Sequence, residues 1–241
     1  MTSSQFSPLE RNPTTGELFL RLSSPYENII LTPPRTSDAA AIAAIMNDPA
    51  VHPWLARLGA TFSLEDAEKL VEEFKLASDS VIEALEDAAR TAQALVITQN
   101  CPVRSIRELQ PDGTDVYIGN IAFKRCTWPE VQGSERDRLM AENNAKPTGD
   151  PKIIWQVSDF LASSHHRRGI MTVVLGTMLK EWAIPRMRVH CLHVSVFTGN
   201  NGSVRVFEKN GFVLVGTLED CIEIRGEKRS LHILDWKHVA E

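Results

Sequence analysis

Several absences narrow this 241-residue chain before any motif is read. No apolar run approaches the about 20 residues a membrane helix needs, and no charged–apolar–small leader pattern opens the sequence. No dense Lys/Arg block occurs, and the net charge is −5. Binding to a nucleic-acid backbone is therefore not expected, the short basic cluster at His165–Arg168 notwithstanding. The four cysteines (Cys101, Cys126, Cys191, Cys221) stand apart, without CxxC or metal-like spacing. They read as reduced thiols of a cytoplasmic protein, with no metal site. Tyrosine is scarce too, with only Tyr26 and Tyr117.

What remains is a globular composition, 43% hydrophobic, and enough length for one sizeable core. Residues 1–25 are rich in Ser, Thr and Pro and read as a flexible arm, with one short strand possible at 18–22. A strand at 29–32 follows, then a helix from Thr36-Ser37-Asp38 to Asn47-Asp48-Pro49. Ser63 with Asp66, and Ser80 with Glu83, each give a capping pattern, so two further helices are expected, the second from Val81 to about Ala92. The period then changes to that of strands at 94–98, 103–109 and 116–124, the last two turning at Pro111-Asp112-Gly113. Residues 127–151 read as a charged surface insertion with one helical turn. A strand at 153–161, a helix at 169–182, a strand at 189–197, a short helix at 203–210 and a strand at 212–216 complete the pattern. A hairpin, 221–224 with 231–236, ends it. The order indicates one mixed α/β (α+β) domain over 26–241.

Two segments carry chemistry. In Phe160-Leu161-Ala162-Ser163-Ser164-His165-His166-Arg167-Arg168-Gly169-Ile170-Met171 a strand ends, a cationic loop follows and a helix starts at the glycine. Unpaired N–H groups and the positive helix end then converge on one spot, which suits a pyrophosphate; Arg167 and Arg168 would add charge-assisted bonds. A solvated basic loop before an ordinary helix explains the same residues about as well. In Thr198-Gly199-Asn200-Asn201-Gly202-Ser203 a strand ends in a Gly/Asn turn, and Gly211-Phe212 leads the short helix into the next strand. Its glycine spacing is wrong for a dinucleotide fingerprint, and a well-capped structural helix is the plain account.

Together these segments resemble the GNAT superfamily of acetyltransferases. Its pyrophosphate signature reads here His166-Arg167-Arg168-Gly169-Ile170-Met171, with His166 in place of the usual Arg or Gln, Arg167 where many members have glycine, and Met171 at the usual small position. Val196-Phe197-Thr198-Gly199-Asn200, Ser203, Glu208-Lys209-Asn210-Gly211-Phe212 and Gly216-Thr217-Leu218-Glu219-Asp220 are similar to the ribosomal-protein alanine N-acetyltransferase-like subgroup. Upstream, Ile30-Leu31-Thr32-Pro33-Pro34, Asn47-Asp48-Pro49 and Asp66-Ala67-Glu68 continue the match, and the resemblance runs over roughly 27–238, interrupted by surface insertions near 76–112 and 127–151.

The resemblance implies a central, mostly antiparallel, splayed sheet of about seven strands flanked by helices. It implies acetyl-CoA as co-substrate and a primary amine as acceptor, a small molecule or a protein N-terminus, in a monomer or homodimer. Phe160, Leu161 and Ala162 would offer backbone groups to pantetheine. His166, Arg167, Arg168, Gly169, Ile170 and Met171 would hold the phosphates, and Asn200, Ser203, Phe207 and Lys209 the rest of the arm. Many relatives carry a carboxylate where His193 stands, so His193 is the first choice for the general base, with Asp159 second; a structural sheet histidine and an ordinary strand carboxylate are the plain alternatives. Phe207 occupies the place of a tyrosine that protonates the leaving thiolate, which leaves Ser203 or water for that role. The competing expectation is a non-catalytic acyl-CoA-binding protein that keeps the fold. Within enzymes, transfer of a longer acyl group competes.

Overall fold

The computed structural model describes residues 5–56, 59, 61–91 and 94–238. Nine strands form one sheet in the order β1-β2-β3-β4-β5-β6-β7-β9-β8. They are β1 (Glu10–Arg11), β2 (Leu18–Arg21), β3 (Ile29–Thr32), β4 (Ser105–Leu109), β5 (Asp115–Arg125), β6 (Ile154–Leu161), β7 (Cys191–Phe197), β8 (Val213–Ile224) and β9 (Glu227–Lys237). The helices are α1 (Ala39–Met46), α2 (Leu64–Arg90), α3 (Gly133–Asn144), α4 (Ile170–Met178), α5 (Ile184–Met187) and α6 (Asn201–Glu208). The expected mixed α/β, mostly antiparallel sheet is present; β6 with β7 is the one parallel pair among the described strands.

The extra strands come from the segment expected as a loose arm. Within its described part, Leu9, Leu18, Leu20 and Leu22 are buried in the main core, and β1 and β2 extend the sheet. Burying a leucine contributes roughly 1.5–3 kcal/mol, which fixes a segment whose Ser/Thr/Pro content masks its few apolar residues.

Three other corrections concern residues 63–112. The two expected helices are one, α2, 27 residues long. Ser63 and Asp66 do form the capping box, but Ser80 lies mid-helix, because 76–80 holds no Gly or Pro to break the turn. Ser78 is buried there and donates to the Pro102 carbonyl. The expected helix end at Ala92 lies outside the described residues. Residues 94–98 form no strand; Val96 N–H donates to Gln5 Oε1 and Thr98 N–H to the Arg186 carbonyl. Nor is 76–112 a surface elaboration, since Val81, Leu85, Val103 and Ile106 are core residues. The 127–151 insertion does carry a helix, α3, of three turns rather than one.

The helix expected over 169–182 stops at Met178; a π turn over Leu179–Ala183 and α5 continue it. Its apolar stripe (Ile170, Met171, Val174, Leu175, Met178) packs on one face of the sheet against Ile121, Val157, Leu161, Val194 and Val196. The opposite face is covered by α1 and the start of α2, where Ile42, Ile45, Ala67 and Val71 meet Tyr117, Phe160 and Ala162. Strand β8 fuses what the sequence suggested as two strands, with a register shift between Leu218 and Ile222.

Candidate functional site

The site begins where two strands part. β6 and β7 pair only at Ile154–Cys191 and Trp155–Leu192. From Gln156 and His193 onward each has lost the other, while β5 still pairs β6 to Leu161 and β9 still pairs β7 to Phe197. A gap therefore opens inside the sheet, lined by unpaired backbone edges. Ala162 N–H donates to the Ile118 carbonyl. Antiparallel alternation then turns the backbone of Phe160 toward β5 and that of Asp159 and Leu161 toward the gap. Phe160, expected to face the cofactor, instead spends its backbone on the ladder and packs its ring beside Tyr117. Asp159 is the gap-facing residue whose backbone the sequence did not single out.

At the wide end of the gap lies the start of α4. Gly169 has φ +77°, a left-handed conformation, and a Cβ there would stand 2.6 Å from the Tyr26 hydroxyl. Both facts demand glycine. No side chain caps α4, and the first main-chain bond of the helix runs from Val173 N–H to the Gly169 carbonyl. The N–H groups of Ile170, Met171 and Thr172 are thus free of helical acceptors. The Met171 side chain is buried in the core, so it does not crowd this end. The loop itself is tied down on all sides: His166 Nε2 bonds the Leu161 carbonyl at 2.9 Å, and the Tyr26 hydroxyl donates to the Arg168 carbonyl at 2.8 Å. Arg168 Nη2 is held by Glu108 at 2.8 Å. Arg167, by contrast, is exposed and makes no bond or ion pair with any described residue. Its φ of +60° is the left-handed conformation, which costs glycine least.

The three expected catalytic residues are not all together. Asp159 is opposite Ile121 in register and so lies on the α4 face. It is half-buried, has no hydrogen-bond or ionic partner among the described residues, and burial raises its pKa to about 6. Ser203 is on the same side, in the first turn of α6, its N–H capped by Asn200 Oδ1 at 3.3 Å. Phe207, in the same helix, is buried edge-on to Phe212 with ring centroids 5.0 Å apart. Lys209 is exposed at the C-terminal end of α6.

His193 lies on the other face, because Leu192, Val194 and Val196 take the α4 side of β7. Both of its ring nitrogens are engaged, Nδ1 with Asp235 at 2.7 Å and Nε2 with Glu130 at 2.8 Å. Burial would lower its pKa, but the two carboxylates outweigh that and raise it. Glu130, which also accepts from Ser195 at 2.8 Å, is held below the usual carboxylate range despite its burial. An imidazolium between two carboxylates has no free nitrogen to accept a proton. Glu130 had no signal in the sequence: it belongs to the insertion after β5 and reaches β7 across 63 residues of chain.

The sequence matches the family model described as "Acetyltransferase (GNAT) domain" over residues 28–213. The chain belongs to the GNAT acetyltransferase family. No curated protein sequence matches it. Among solved structures, Mycobacterium smegmatis RimJ in complex with CoA-disulfide is similar at 20% identity, covering 92% of this chain and 86% of that one, TM-score 0.55. Ribosomal-protein-S5-alanine acetyltransferase from Vibrio fischeri is similar at 15% identity over 88% and 94%, TM-score 0.55. Vibrio cholerae spermidine N-acetyltransferase in complex with CoA and spermine is similar at 13% identity over 87% and 95%, TM-score 0.55. At these identities the likeness is one of fold, and the GNAT fold accounts for the parted strands of this sheet.

Proposed function

We propose that this chain transfers the acetyl group of acetyl-CoA to a primary amine. One observation carries the reading: the gap between β6 and β7 has free helix N–H groups at its end and, beside it, an arginine and, on the α4 face, a carboxyl that have no partner among the described residues. The first two fit a pyrophosphate, and the unpaired backbone of Asp159, with the N–H of Leu161, whose carbonyl His166 holds, fits the amide-bearing arm of the cofactor. Acetyl-CoA, when bound, supplies the activated acyl group. The chain's own residues do the rest. Ile170, Met171 and Thr172 N–H and the Arg167 guanidinium bind phosphate, while Gly169 lets the backbone approach it. The Asn200 side-chain N–H₂ is left to donate to the arm, since its oxygen caps α6.

An amine must lose a proton to react, because its pKa when free is about 8 for a protein N-terminus and about 10 for an alkyl amine. Asp159 is the group suited to take it: unpaired, shielded, and with a pKa of about 6 that leaves it ionised at neutral pH. His193 is better suited to holding β7 and the insertion together. The amine class is supported by the similar structures, which are named for a ribosomal-protein alanine and for spermidine. A cytoplasmic setting suits four free cysteines.

The second reading, a non-catalytic acyl-CoA binder, is favoured by one feature: Phe207 offers no hydroxyl to a leaving thiolate. Thermal shift with acetyl-CoA, followed by thiol release on adding a panel of primary amines, separates the two. Stabilisation with amine-dependent thiol release supports transfer. Stabilisation with no release from any amine supports the binder.

A further inference from the structure

Glu108, near the end of β4, is tied into the loop that leads to α4. Its carboxylate accepts from Arg168 Nη2 at 2.8 Å, from His165 Nε2 at 3.1 Å and from Asn28 Nδ2 at 3.3 Å. The bonds from His165 and Arg168 hold its pKa below the usual range, so it is charged at neutral pH. One of the loop's two arginines is thus already paired, and a fixed negative charge is bonded to the loop that leads to α4. The backbone of the loop does not need that charge. Tyr26, the His166–Leu161 bond and the left-handed Gly169 already fix its path.

We propose that Glu108 is an electrostatic restraint on the phosphate loop, competing with the cofactor's phosphates for Arg168 and His165 and thereby speeding release of spent CoA. The proposal rests on the reading of this loop as the pyrophosphate site. On binding, Arg168 exchanges a carboxylate for a phosphate, so its net gain is small. On release, Glu108 recaptures it. A carboxylate bonded to this loop opposes the approach of phosphates to it, and product release is a common limit on turnover.

The test is Glu108→Gln, which keeps an acceptor oxygen and the shape of the residue but removes the charge. Calorimetry with CoA, 3′-dephospho-CoA and phosphate-free S-acetylpantetheine reads the effect, with stopped-flow measurement of CoA release. The expected result is roughly tenfold tighter CoA binding with correspondingly slower release, a smaller gain for the dephospho form and none for the pantetheine, all shrinking with added salt. Damage to the fold does not produce a gain in affinity. As a second variant, Glu108→Gln added to Arg168→Ala should bind CoA more tightly than Arg168→Ala alone. Equal or weaker CoA binding by either Glu108 variant overturns the proposal, as does an equal gain for the phosphate-free probe. If wild-type protein binds S-acetylpantetheine and CoA equally, the pyrophosphate reading of the loop fails first.

Discussion

Glu130 Oε1 lies 2.8 Å from His193 Nε2, so a carboxylate from the insertion after β5 is bonded to the middle of β7. The Glu130 side chain is only 6% exposed, and removing it leaves a charged imidazole facing Asp235 alone. Glu130→Ala should cost roughly 3–5 kcal/mol in urea unfolding, the usual penalty for breaking a buried pair. The pH dependence has a definite sign. The folded pKa of Glu130 is lowered, so its share is present above the ordinary 4.5 and is lost as pH falls through the folded value. The folded pKa of His193 is raised, so its share is complete below the ordinary 6.5 and is lost as pH rises through the folded value. The difference between wild type and variant should therefore be greatest between pH 4.5 and 6.5.

Arg167→Gly should separate stability from binding. Arg167 sits at φ +60°, a conformation that costs a non-glycine residue about 1–2 kcal/mol. The larger backbone entropy of glycine when unfolded cancels part of this. Thermal unfolding should rise slightly or hold, while CoA binding weakens by roughly tenfold through loss of a charge-assisted bond. Equal CoA affinity in the variant would remove Arg167 from the phosphate site.

Gly169→Ala should do harm on both counts. The added methyl enters a left-handed residue and stands 2.6 Å from the Tyr26 hydroxyl, so the loop must shift. A loss of roughly 1–3 kcal/mol in stability is expected, along with CoA binding too weak for calorimetry. Tyr26→Phe in the same background should recover part of the stability and little of the binding.

Asp159→Asn tests the proton acceptor. Because burial raises the folded pKa of Asp159 from 3.8 to about 6, ionising it opposes folding, and wild-type stability should fall as pH rises across that interval. The variant should lose this slope and be the more stable protein above pH 6. Its kcat for amine acetylation should fall by about 10²-fold or more, and the limb of kcat/KM that rises near pH 6 should vanish. A variant with both slope and rate unchanged would leave Asp159 without a role.

The parts of this architecture that sequence reveals are the local ones. Gly169 at a strand–loop–helix junction and the Ser63–Asp66 box are set by neighbours within a few residues, so pattern alone predicts them. The parts it hides depend on distant contacts. His193 reads as a free base until Glu130 and Asp235 are seen on its two nitrogens, and Arg168 reads as a free cation until Glu108 is found 60 residues upstream. The same holds for Leu18, Leu20 and Leu22, whose burial depends on β3 and the main core rather than on their own polar surroundings. Whether Asp159 or Phe160 turns its backbone to the gap is a property of register with β5, which a single strand does not disclose.

The central claim is acetyl transfer to an amine, and isotope-labelled acetyl-CoA tests it most directly. Protein, labelled acetyl-CoA and a panel of primary amines, including a peptide with an N-terminal alanine and a polyamine, are incubated and followed by mass spectrometry alongside free thiol. Label should appear in an acetamide of at least one amine, with one thiol freed per label transferred. Label that stays on CoA, or that leaves only as acetate regardless of the amine, would contradict the claim.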